Sequence, residues 1–153
     1  MKDFPFSEKE YHVIVLSSPI RIPFNMFKHL WIVLIRKNQV TRWEVMPDGN
    51  IKRKHGFLYK NFHKDPRRGA QKFFFNTIDY WGSEIIFEIS GGQNSQAMQV
   101  LNDIEELNNS YPHKTTYFPF PGPNSNTYVG WLLDHFPELN ITLPWNAFGK
   151  NYK

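Results

Sequence analysis

The chain has 153 residues, 18 Lys or Arg against 14 Asp or Glu, a formal net charge of +4 and no cysteine. A chain of this length buries about 70% of the surface that it exposes unfolded, and 41% apolar with 17% aromatic residues excludes a disordered chain and predicts one domain, 1–153. Without cysteine there is no disulfide, no thiolate-bound zinc, no iron–sulfur cluster and no cysteine nucleophile.

The first predicted strand covers residues 11–18, YHVIVLSS, and Pro19 and Pro23 are expected to break the chain after it. Residues 29–36, HLWIVLIR, are apolar on both alternating faces, the pattern of a strand buried on both sides. A turn at Asn38-Gln39 leads into a third strand, residues 40–46, with Trp43 and Val45 on one face and Arg42 and Glu44 on the other. Pro47-Asp48-Gly49-Asn50 is a turn signal. Residues 51–80 carry no readable periodicity. Residues 83–90 alternate again, with Ile85, Phe87 and Ile89 opposite Glu84 and Glu88. Asn94 or Ser95 can cap a helix running to about residue 109, its apolar face formed by Ala97, Met98, Leu101, Ile104 and Leu107. A second helix is predicted over 125–136, capped by Asn124 and closed by Pro137, with Tyr128, Trp131, Leu132 and Phe136 turned inward. The order of strands, helix, turn and helix gives an α+β class, an antiparallel sheet packed by two helices.

The charge is concentrated. Residues 50–72 hold eight Lys or Arg and one Asp, so that the remainder of the chain is negative. Interleaved with Phe57, Tyr59 and Phe62, this block could grip phosphates and stack bases; a solvated hairpin with its aromatics in the core is the alternative. The longest apolar run, residues 30–35, is too short to span a membrane. The first twelve residues lack a signal-peptide core, so a cytoplasmic location is expected. No metal-ligand spacing joins the histidines, and neither a metal nor a cofactor is expected.

Chemistry is best sought at residues 121–128, PGPNSNTY. Two prolines and Gly122 shape a sharp turn that delivers Ser125 to a helix N-terminus, where free N–H groups and the helix dipole favour a developing oxyanion. A hydroxyl there needs a base. His29, opening the buried strand, is the candidate, with Glu44 on the neighbouring strand to orient it. Caps and a stiffened loop are the structural alternative for the same residues.

The C-terminal third resembles the uncharacterised bacterial domain of unknown function 3750 family. The elements are Pro121 to Thr127, Trp131, Pro137-Glu138-Leu139, Leu143-Pro144 and Gly149-Lys150-Asn151-Tyr152, with Asn151 where the family has Asp. Upstream, residues 29–33 (HLWIV), 42–45 (RWEV), Trp81-Gly82 and Tyr111-Pro112 also fit, so the resemblance covers about 11–152. More distantly, a His-led strand, a polar residue on the next strand and Asn124-Ser125-Asn126-Thr127-Tyr128 on a helix are similar to circularly permuted papain-like proteins of the NlpC type, with Ser125 where those carry the nucleophilic Cys. That similarity implies a Ser125–His29–Glu44 hydrolase or acyltransferase site. The alternative is a binding module for a small acyl or peptide ligand, using Asn124, Ser125 and Asn126 with Trp31 and Trp131 as walls. Nucleic-acid binding through 50–72 is the third reading.

Overall fold

The computed structural model describes residues 10–20, 26–49, 54–74 and 77–153. The expectations for the first nine residues, for Pro23 and for residues 50–53 of the basic block lie outside the described residues.

Three apolar strands open the fold: β1 (Tyr11–Ile20), β2 (Phe27–Arg36) and β3 (Gln39–Pro47). β1 continues through Pro19, which is in register with Lys28 one pair before the ladder ends at Ile20 and Phe27, so this proline does not break the strand. The β2–β3 turn sits one residue earlier than expected, with Lys37 at φ 56° and Arg36 paired to Gln39. The unassigned region supplies β4 (Gly56–Lys60), β5 (Gln71–Phe74) and β6 (Thr77–Tyr80), and β7 (Glu84–Gly91) follows. The main sheet is antiparallel in the order β4-β3-β2-β1-β7, and β5 pairs with β6 apart from it. With two helices packed on it, this is the α+β arrangement expected.

The period-2 alternation of the strands divides the core into two layers. Val13, Val15, Leu30, Ile32, Leu34 and Val45 face the helices. Ile14, Leu16, Trp31, Val33 and Ile35 form a second buried cluster on the other side. β7 departs from simple alternation because its register against β1 shifts between Val15 and Leu16. The extra residue of such a bulge inverts the facing that follows. Phe87 and Ile89 pack in the core as expected, Ile86 joins them, and Ile85 is 45% exposed.

Helix α1 (Gln96–Leu107) is capped by Ser95, whose hydroxyl accepts from the Met98 amide, and it buries Ala97, Val100, Leu101 and Ile104. Helix α2 (Ser125–Leu133) is shorter than its predicted span, and Pro137 to Leu139 form a separate 3-10 turn. Phe136 is nevertheless buried against the core. α2 is buried over most of its surface, and Gly130 lets it lie against the C-terminal segment: a Cβ there would collide with the carbonyl oxygen of Lys150. Among the described residues, no helix is long and apolar enough to cross a membrane.

Candidate functional site

The Pro-Gly-Pro turn feeds four consecutive polar side chains into the interior, and backbone groups satisfy all four. Asn124 caps α2: its Oδ1 accepts from the amides of Asn126 and Thr127 at 2.9 and 3.2 Å. Its Nδ2 donates to the carbonyls of Phe118, Pro119 and Phe148. Thr127 Oγ1 accepts from the Asn124 amide and donates to the Gly149 carbonyl. The turn thereby ties the helix to the chain on either side of it.

Ser125 and Asn126 reach into the sheet. The β2–β3 ladder stops at Ile32 and Trp43. Continued at this register the ladder would pair Trp31 with Glu44 and then Leu30 with Val45, but α2 enters between the last two. Ser125 Oγ donates to the Leu30 carbonyl at 2.5 Å and accepts from the Val45 amide at 3.4 Å. Asn126 Oδ1 accepts from the Leu30 amide at 2.9 Å, and its Nδ2 donates to the carbonyls of Lys28 and Phe148 at 2.9 and 2.8 Å. The Lys28 amide donates to the carbonyl of Asn146. The carboxamide of Asn126 therefore stands where a peptide unit of a neighbouring strand would stand. Ser125 is 2% exposed.

On the other face, alternation places His29, Trp31, Arg42 and Glu44 together. Glu44 is fully buried, and its Oε2 accepts from Arg42 Nη2 at 2.7 Å and pairs with His29 Nε2 at 3.0 Å. Burial pushes the Glu44 carboxyl up, but the hydrogen bonds and charges of His29 and Arg42 outweigh it and hold the group at about 2. An ionised carboxylate only accepts, so Nε2 of His29 carries the proton. The His29 side chain keeps 11% exposure. The Nε2–H bond to the buried carboxylate fixes the orientation and tautomer of a ring that stays partly exposed.

Arg42 anchors this cluster to the 61–70 loop. Its Nη1 donates to the Arg68 carbonyl at 2.5 Å, and its guanidinium lies 4.3 Å from the centroid of Trp31. Trp31 Nε1 donates to the Pro66 carbonyl at 2.9 Å, and its ring stacks on His29 at 5.5 Å. The same loop brings in His63. Burial lowers its pKa, as do the charges of Arg42, Arg68 and His29, while Glu44 opposes them. A lowered pKa keeps the ring neutral at pH 7.

The structure thus joins His29 to Glu44. It places Ser125 at the sheet from the helix side, while the His29 ring leaves on the opposite side, and no hydrogen bond connects the two. Trp31 and Trp131 are separated in the same way: Trp131 packs on Tyr111 and His135 at the helix layer. Asn124 and Asn126 spend their side chains on the backbone. Arg42 and His63 were not singled out in the sequence as site residues. The spacing of Arg42 and Glu44 puts both on one strand face and was the available signal; His63 comes from a region without periodicity. In the basic block, Phe57 and Phe62 are 40% and 48% exposed rather than in the core, and Phe57, Tyr59 and Phe62 contact in series. No group of three His, Cys, Asp or Glu is placed to hold a metal among the described residues.

No curated protein and no solved structure matches the chain. The family described as proteins of unknown function, DUF3750, matches residues 10–152, and with a match over nearly its whole length the chain belongs to the DUF3750 family.

Proposed function

We propose that the protein is a binding module for a small acyl or peptide ligand, with the His29–Glu44 pair as its ligand-contacting polar group. The observation that carries this reading is the contrast between two groups. His29 keeps 11% side-chain exposure on a ring oriented by a buried carboxylate. The Ser125 hydroxyl gives its proton to a backbone carbonyl at 2.5 Å. The hydrolase or acyltransferase reading has to move that proton to His29, which lies across the sheet, and so the binding reading is the better supported of the two.

The test is calorimetric titration of the full chain with a panel of short N-acylated peptides. Saturable binding that disappears in His29→Ala, with no product after hours, is the expected result. No binding across the panel, or binding indifferent to His29, overturns it. Product formation that depends on Ser125 restores the hydrolase or acyltransferase reading.

A second reading has an observation of its own: the exposed Phe57 and Phe62 beside Lys60 and Lys64 support stacking on single-stranded nucleic acid. Affinity for an oligonucleotide that falls steeply with salt is expected for that reading, and absence of binding at low salt refutes it.

A further inference from the structure

The three most exposed large apolar side chains among the described residues are Trp145 at 75%, Phe120 at 68% and Met26 at 50%. Single exposed apolar residues are ordinary, but these three converge on one end of the fold. The Asn146 carboxamide donates to the Met26 carbonyl, and the Asn146 carbonyl accepts from the Lys28 amide at 3.1 Å, which sets Trp145 beside the start of β2. Phe148 joins the rest, its ring 4.7 Å from that of Phe27 and 5.6 Å from that of Phe120. The backbone under both exposed rings is held. Asn124 Nδ2 donates to the carbonyls of Phe118, Pro119 and Phe148, and Pro119 and Pro121 fix φ on either side of Phe120. Lys150 Nζ donates to the carbonyls of Leu143 and Pro144, just before Trp145, at 2.9 and 2.6 Å.

The charge around this patch has one sign. Residues 112–133 and 139–153, which supply Phe120, Trp145 and Phe148, contain three lysines and no Asp or Glu. Lys153 is offset by Asp134, and Lys28, which follows Phe27, is offset by Glu84. Lys150 beside Trp145, and Lys54, whose ammonium lies 5.0 Å from the Phe118 ring centroid, pair with no carboxylate among the described residues. An uncharged aromatic tip flanked by lysines complements a surface that is anionic at its face and apolar beneath. Such rings settle at the headgroup level of a bilayer, and lysines near an anionic leaflet are attracted to it. We infer that this end of the fold docks on an anionic lipid surface, with Trp145 and Phe120 entering the headgroup layer and Lys54 and Lys150 meeting lipid phosphates. The contact is peripheral and reversible, and it does not depend on the His29–Glu44 reading.

The experiment sediments the full chain with vesicles of phosphatidylcholine alone and of phosphatidylcholine with about one third phosphatidylglycerol. Expected is saturable binding to the anionic vesicles, weaker binding to the neutral ones, and a partial loss in high salt. The double variant Trp145→Ala/Phe120→Ala should bind at least about tenfold more weakly, and Lys54→Gln about fivefold more weakly. Trp145→Phe, which keeps an aromatic ring, should lose less than Trp145→Ala. Both rings are exposed, so their removal leaves the fold intact, and a Tm equal to that of the parent verifies this. No binding to anionic vesicles at about 5 mM lipid overturns the proposal, as does equal binding by the double variant. Equal binding to neutral vesicles overturns the assignment to an anionic surface. Self-association without lipid in sedimentation velocity, lost in the double variant, assigns the patch to a second copy of the chain and overturns the lipid reading.

Discussion

Replacing Ser125 by Ala separates a structural hydroxyl from a catalytic one by the sign of the stability change. The hydroxyl links the Leu30 carbonyl to the Val45 amide inside the sheet, and Ala leaves both without it. An orphaned buried polar group costs about 1–3 kcal/mol. The Leu30 bond is short and takes the full cost, whereas the Val45 bond at 3.4 Å is weak and takes less. A loss of about 3 kcal/mol follows, equal to a fall of roughly 6–12 °C in Tm for a chain of this size. Urea unfolding followed by tryptophan fluorescence, with calorimetry for Tm, measures it. A preorganised nucleophile behaves oppositely, because removing it leaves stability unchanged or raised. A Tm for Ser125→Ala equal to or above that of the parent would refute the reasoning developed here for Ser125.

Arg42→Ala leaves the fully buried Glu44 without its arginine and removes the tie to the Arg68 carbonyl, so urea unfolding should show a loss of about 3–5 kcal/mol. The Glu44 carboxyl is held at about 2 against an ordinary 4.5, so its contribution to stability is full above pH 4.5 and disappears as pH falls towards 2. Glu44→Gln should flatten that acid limb of the stability profile, and an unchanged limb refutes the assignment. Gly130→Ala gains about 1 kcal/mol of helix propensity but drives a methyl group into the Lys150 backbone. A net loss of about 2 kcal/mol is expected in chemical denaturation. Asn126→Ala should be as destabilising as Ser125→Ala or more so, since it uncouples Leu30, Lys28 and Phe148 at once.

The parts of the fold with strong periodicity were legible. β2 alternates apolar residues on both faces and is buried on both, and Arg42 and Glu44 oppose Trp43 and Val45 as the period of two requires. The register shift against Val15 and Leu16 was not legible, because a bulge depends on the partner strand and not on β7 itself. β4 to β6 were missed because GFLYK, QKFF and TIDY are only four or five residues long, too short to show a consistent apolar face. At the candidate site, pairing of His29 with Glu44 was readable from adjacent strands. What Ser125 does was not, because its partners are main-chain atoms of Leu30 and Val45, and a main-chain partner leaves no mark on the sequence.

The insertion of Ser125 and Asn126 into the gap between β2 and β3 also fixes an order of assembly. Leu30 and Asn126 lie 96 positions apart, so the open end of the β2–β3 ladder is completed only after α2 has been synthesised. Until then the amide and carbonyl of Leu30 form a short exposed edge next to a strand apolar on both faces, a combination prone to self-association. Closing so long a loop is also slow. Loss of the last thirty residues would therefore cost more than a helix: it would leave the centre of the sheet as an open edge.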